Sequence, residues 1–312
     1  MGIRLLSRAV RVAALAIFAV TACHGAHGHF KPRSAATAAV VDVHVVPHSH
    51  CDAGWMLTFE QYYATFVRHI LDSTLAALAS EPSRRFNWAE VSYMQRWWRD
   101  QNATTRASVR ELVSSGKLEF VEGGWVQADE SVASWHARLD ALTLGHEWLA
   151  REFGPAARPR TGWKIDPFGA TTLTATMFAQ DGLDASVKMR IPYAQLKQRE
   201  ANQTMQFLWH TQAPQPARQP VVPGLPVARA PAQDSTLFTH IIESYSAMTE
   251  QGFDFDQFRI KSPPVTAANV AARAQVLTSW LHNGSSGSRT SWFRGNILMI
   301  PYGGDFRWQN GS

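Results

Sequence analysis

The segment Val40–Trp55, VVDVHVVPHSHCDAGW, decides the reading of the fold. Val41, Val43 and Val45 alternate with Asp42 and His44, the pattern of a half-buried strand, and Pro47 ends it. Beyond the proline, His48, His50 and Asp52 are spaced two apart, so in extended backbone their side chains point the same way. A strand that releases imidazole and carboxylate groups at its carboxyl end suits an α/β barrel, whose active sites form at that end. His50 and Asp52 offer one metal ion the N and O donors that Zn²⁺ accepts. His48 lies on the same side, either as a third ligand or as a support behind the other two.

Outward from this segment, strands and helices alternate. A helix is expected over Thr58–Ser80, with Phe59, Tyr62, Tyr63, Phe66, Ile70, Leu71 and Leu78 near helical spacing, and Glu81-Pro82 closing it. Strands are expected at Phe86–Val91, Leu118–Val121, Thr161–Ile165 and Ala185–Met189. Helices between them carry Trp97 and Trp98, then Arg106–Ser115, Ser131–Phe153 and Leu173–Gln180. That alternation implies a parallel sheet or barrel. It breaks after His210, where six prolines between Pro214 and Pro231 mark an extended loop over 211–236. A strand at Leu237–Ile242, a helix at Ala267–Leu281 and a strand at Asn296–Ile300 resume it. One α/β domain is therefore expected over 40–312, preceded by a linker over 23–39.

Residues 1–22 resemble a targeting segment. Arg4, Arg8 and Arg11 precede the apolar run Val12–Ala22, which is short for a spanning helix of roughly 20 residues. A cleaved signal peptide is favoured, with a short membrane anchor as the alternative, and either implies the secretory pathway. Four N-x-S/T sequons, at Asn102, Asn202, Asn283 and Asn310, suit that compartment. Cys23 and Cys51 make no disulfide framework. The net charge of +5 is scattered, and no basic run interleaved with aromatics forms a nucleic-acid groove. The twelve tryptophans have two readings, a large core or platforms for sugar rings.

Two further carboxylates stand at strand ends. Asp166, in Gly162–Gly169 (GWKIDPFG), precedes a Pro167 and Gly169 turn that would present it; Asp305, in Pro301–Trp308 (PYGGDFRW), follows a glycine pair. Each has the plainer reading of a turn aspartate. Converging at one barrel mouth, two facing carboxylates are what glycosidic cleavage requires.

Six segments in order, Val45–Trp55, Phe86–Trp98, Lys117–Glu130, Arg160–Gly169, Ser186–Tyr193 and Ile297–Trp308, resemble glycoside hydrolase family 38, the class II α-mannosidases, and the Golgi-type members more than the lysosomal type. The resemblance makes residues 40–312 the catalytic domain and implies a seven-stranded parallel β/α barrel and one Zn²⁺ held by His50, Asp52 and Asp166. It casts Asp166 also as nucleophile and Asp305 as general acid/base. Trp55 would form the sugar's floor and Phe168 an adjoining wall, with Arg190 hydrogen-bonded to the nucleophile and His48 behind the ligands. Such an enzyme is a retaining hydrolase of terminal α-mannosyl linkages on N-glycans, its carboxyl pair about 5–5.5 Å apart. The implied site is the Golgi lumen, or a secreted or lysosomal location. No motif sets an oligomeric state.

The chain departs from that pattern in several places. The family's fourth zinc ligand, a histidine in a downstream His-rich motif, has no match here, nor do the helical bundle and β-rich C-terminal region. A truncated enzyme, inactive by itself, is thus one expectation. Gly304 stands where Golgi-type members carry a second acidic residue, and Tyr245–Gln251 replaces a longer active-site loop. Cys51 replaces a typical Asn, and its thiolate is an alternative metal donor. Two other functions compete: a non-catalytic carbohydrate-binding remnant, against which Asp52, Asp166 and Asp305 argue, and a metal-dependent carbohydrate deacetylase, which lacks an Asp305 segment.

Overall fold

The computed structural model describes residues 41–211, 235–256, 262–283 and 288–310. The expected targeting segment and linker, and the interior of the proline-rich loop, lie outside them.

Strand β1 (Asp42–Pro47) leads through the His50 segment to helix α1 (Phe59–Tyr62), capped by the Thr58 side chain on the Gln61 amide. The helix widens to a π turn over Tyr63–Val67 and continues as α2 (Arg68–Ser80), so the expected single helix runs over this span with a local underwinding. Strand β2 (Phe86–Trp88) is shorter than expected. Val91 already begins α3 (Val91–Arg99), whose buried face carries Tyr93, Met94, Trp97 and Trp98. Then come α4 (Ala103–Ser114), β3 (Leu118–Phe120), α5 (Trp135–Phe153), β4 (Thr161–Lys164), α6 (Thr172–Gln180) and β5 (Ala185–Lys188). Two elements not foreseen follow, helix α7 (Tyr193–Ala201) and strand β6 (Gln206–Thr211). Strand β7 (Ser235–Ile241), helix α8 (Val270–His282) and strand β8 (Ile297–Tyr302) complete the order.

The strands form a mixed α/β fold, but not one uninterrupted ladder. β1 pairs with β8 and β2 with β3, while β4, β5, β7 and β6 make a four-stranded sheet; all pairings are parallel except β6 with β7. Strands of three and four residues make few ladder bonds, so the sheets meet through single links. A parallel bridge joins His48 to Asn87, and the Glu122 amide donates to the Thr161 carbonyl at 2.6 Å. β7 and β8 share no ladder with each other, and a cavity of about 50 Å³ lies between them, lined by His240, Trp280, Trp292 and Ile300. β6 turns the proline-rich stretch into a connection between antiparallel strands, Thr211 facing Ser235.

The largest core lies between α2, α3, α4 and the β2–β3 pair, where Trp88, Trp97, Trp98 and Trp148 pack with Ile70, Leu71 and Phe120. Trp163, Trp280 and Trp292 are buried too, so seven of the twelve tryptophans are core residues. Trp55 and Trp135 are exposed. No helix of the described residues is long and apolar enough to cross a membrane.

Candidate active site

Parallel strands present their carboxyl ends to one side, and the chemistry gathers there. His50 and Asp52 follow β1, Asp166 follows β4, Arg190 follows β5, and Asp305 follows β8. The backbone of His50 is bridged to that of Asp305 in the parallel sense: the His50 amide donates to Gly304 at 3.1 Å and the Phe306 amide to His50 at 2.9 Å. Gly303 makes this junction possible, because a Cβ there would lie 1.9 Å from the His48 carbonyl oxygen.

His50 is buried at 4% exposure, with Nε2 3.3 Å from Asp52 Oδ1 and 3.5 Å from Asp166 Oδ2. Neither of its ring nitrogens has a hydrogen-bond partner of good geometry. One donor atom from each of His50, Asp52 and Asp166 lies within 4.8 Å of the others. A buried imidazole aimed between two carboxylates, with both ring nitrogens otherwise unsatisfied, is a donor set that fits a divalent cation. The electrostatics agree. Burial opposes a charge on His50, but the Asp166 and Asp52 carboxylates outweigh it and push its pKa up to about 10. His50, and then Arg190, hold the Asp166 carboxyl well below the usual carboxylate range, with partial burial opposing them.

The structure keeps His48 out of this group. It is buried, its Nε2 meets the Tyr245 carbonyl oxygen at 2.9 Å, and burial lowers its pKa to about 4. Cys51 is likewise removed: its side chain alternates to the opposite face and packs in the core, where burial raises the thiol pKa well above its ordinary value. Arg190 grips Asp166 through both Nε, at 3.2 Å from Oδ1, and Nη2. Its guanidinium also lies 4.6 Å from the Phe168 ring centroid. Phe168 is half exposed beside it, fixed by its backbone, whose amide donates to Asp129 Oδ1 at 2.6 Å and whose carbonyl accepts from the Glu130 and Ser131 amides. Trp55 stands free in solvent at 76% exposure, with no floor-like contact to the cluster.

Two residues of this face had no role in the sequence reading. Tyr245, four residues past β7, donates its hydroxyl to Asp305 Oδ1 at 2.8 Å, and burial and the Asp305 charge raise its own pKa. Glu90, two residues past β2, is buried behind His50, with Oε1 3.6 Å from His50 Nδ1; burial pushes its pKa up to about 7. Strand-end position was the signal available for both.

Comparison with known proteins places the chain in a family. The chain is 34% identical to Alpha-mannosidase C of Dictyostelium discoideum over 87% of its own length and 25% of that protein's. It is 35% identical to Alpha-mannosidase 2x of Mus musculus and 34% to Lysosomal alpha-mannosidase of Cavia porcellus, covering 23% and 26% of them. The chain spans about a quarter of the length of these relatives. In fold it resembles an alpha-mannosidase from Enterococcus faecalis V583, with a TM-score of 0.60 at 17% identity over 86% of this chain and 25% of that one. The family model for the glycosyl hydrolases family 38 N-terminal domain matches residues 40–312, and the chain belongs to that family.

Proposed function

We propose that this chain carries the reacting face of a zinc-dependent retaining α-mannosidase that hydrolyses terminal α-mannosyl linkages of N-glycans in the secretory pathway, in the Golgi lumen or as a secreted or lysosomal enzyme. The observation that supports it best is the convergence of His50, Asp52 and Asp166 beside Asp305, with Arg190 on Asp166. In this reading the seven parallel strands form one barrel whose ladder is interrupted, and residues 40–312 are its catalytic domain.

His50, Asp52 and Asp166 would hold the zinc, which when bound supplies a Lewis acid that orients the sugar hydroxyls. Asp166 attacks the anomeric carbon. Arg190 fixes the nucleophile by gripping Oδ1, leaving Oδ2 on the His50 side. Asp305 protonates the departing oxygen and then takes a proton from water, which releases the sugar with retained configuration. Tyr245 occupies Oδ1 of Asp305, so the transferable proton belongs on Oδ2. Phe168 and Trp55 are the apolar surfaces for the sugar ring, Trp55 requiring a swing toward the cluster.

The test is hydrolysis of an aryl α-mannoside, with bound zinc measured, for this chain and for a form extended at its C-terminus. The proposal expects turnover in at least one form, abolished by Asp166→Asn and by Asp305→Asn. Absence of turnover in both forms with zinc bound would sink it.

A further inference from the structure

The turn that presents Asp305 is backbone of an uncommon kind. Gly304, Phe306 and Trp308 have φ of 150°, 50° and 75°. For Phe and Trp this conformation is strained and persists only where the surroundings impose it. The surroundings do so from a segment without a catalytic part. Asp256 is buried at 1% exposure, and its Oδ2 accepts the Trp308 amide at 2.7 Å and the Gln309 amide at 3.2 Å. Asp254, equally buried, pairs with Arg307 at 2.6 Å, and its Oδ1 accepts the Asp256 amide at 3.2 Å. The other side of the turn is fixed by packing: the Phe306 ring stacks on Tyr62 at 4.5 Å, beside the π turn of the long helix, and Trp308 Nε1 donates to the His48 carbonyl at 2.8 Å.

We propose that Asp256 is a positioning residue for Asp305. Its buried carboxylate collects two consecutive amides, holds the left-handed turn closed, and so keeps the Asp305 carboxyl at the leaving oxygen of the sugar. Hydrogen bonds from amides to a carboxylate are charge-assisted and strong, and deleting the acceptor takes it from one buried and one part-buried amide. The turn then loses its backbone clamp and keeps only the Phe306 and Trp308 side-chain contacts and the Arg307 pair. A displacement of about 1 Å at a catalytic group can cost on the order of a hundredfold in rate. The consequence for catalysis rests on the glycosidase reading above; the anchoring itself does not.

The experiment compares wild type, Asp256→Ala and Asp256→Asn on two substrates, with bound metal and amide hydrogen exchange measured alongside. A dinitrophenyl α-mannoside needs no proton on its leaving group, whereas a methylumbelliferyl α-mannoside does. Asp256→Ala should lower kcat/KM at least about 30-fold on the second substrate and less than about threefold on the first. Exchange at Trp308 and Gln309 should accelerate at unchanged metal content. Asp256→Asn, whose amide oxygen still accepts both N–H groups, should restore most of the loss. Equal losses on both substrates, or none on either, overturn the proposal. If Asp256→Ala does not fold, Asp256→Asn carries the test, with a selective loss of about fivefold expected because neutral hydrogen bonds replace charged ones; an equal loss on both substrates again overturns it. If neither this chain nor the form extended at its C-terminus cleaves either mannoside, the glycosidase reading fails and exchange alone decides. Faster exchange at Trp308 and Gln309 in the variant then upholds the anchor, and unchanged exchange overturns it.

Discussion

Tyr245 and Asp305 are joined by a 2.8 Å hydrogen bond from the phenol to Oδ1, while the carbonyl of the same tyrosine receives the His48 ring at 2.9 Å. One residue thus ties the carboxylate after β8 to the histidine after β1. It bridges the side where β7 and β8 share no ladder. Removing the phenol leaves the His48 contact intact, because that contact is to backbone. Tyr245→Phe is therefore expected to lower kcat/KM on an aryl α-mannoside about tenfold, corresponding to roughly one hydrogen bond to a charged group. The melting temperature should move little. Unchanged kinetics would show that Oδ1 is not constrained through Tyr245.

Glu90 stands behind His50, its Oε1 3.6 Å from Nδ1, and is buried at 1% exposure. A carboxylate in that place orients a ligating imidazole and strengthens it as a donor. Glu90→Gln keeps the shape and removes the charge. Its metal affinity, measured by competition with a chelator, should fall about 10–100-fold. Equal affinity in the two proteins would remove Glu90 from the metal's support.

The sequence made part of this site legible and hid the rest, for physical reasons. His50 and Asp52 were readable because two-residue spacing after a valine strand sets their direction, and Asp166 and Asp305 because turn-forming Pro and Gly surround them. Glu90 was hidden because Phe86–Val91 reads as one strand; in the fold the strand stops at Trp88 and Glu90 becomes the residue before α3. Tyr245 was hidden because its partner is 60 residues away and strand-end position by itself does not mark the contact. α7 and β6 were missed for a different reason: the polar, exposed helix Tyr193–Ala201 buries only Glu200, and β6 alternates with little burial, so neither shows a strong apolar period.

His240 provides an acid-sensitive element away from the site. It is buried beside the β7–β8 cavity, stacked on Phe293 at 5.3 Å, and burial lowers its pKa from 6.5 to about 4. Between those values the unfolded chain binds a proton that the folded chain does not. The stability contribution is thus present above pH 6.5 and is lost as pH falls toward about 4. Across the full window the difference is on the order of 3 kcal/mol. His240→Phe should flatten this part of a stability-versus-pH curve obtained by denaturant titration. A curve of unchanged slope between pH 6 and about 4 would assign the acid sensitivity to other groups.

Phe168 depends on a buried ion pair beneath it. Glu130, in the segment whose amides hold the Phe168 carbonyl, accepts Lys188 Nζ at 2.8 Å, and Arg138 lies 3.9 Å from its other oxygen. Glu130 and Lys188 are both almost wholly buried, so deleting the carboxylate strands a cation in the interior. Glu130→Ala is expected to cost about 3–5 kcal/mol. Charge, not contact area, is the dominant cause in this account, so the double variant Glu130→Leu/Lys188→Met should recover much of the loss, as replacing both members of a buried pair with apolar groups can be nearly neutral. Arg138 will retain part of the penalty, since it keeps its charge and donates to Thr174 Oγ1 in either background. Equilibrium unfolding of the three proteins measures this directly. A double variant no more stable than Glu130→Ala would mean that the geometry of the Glu130 side chain, which also accepts the Thr171 amide at 2.6 Å, matters more than the pairing of its charge.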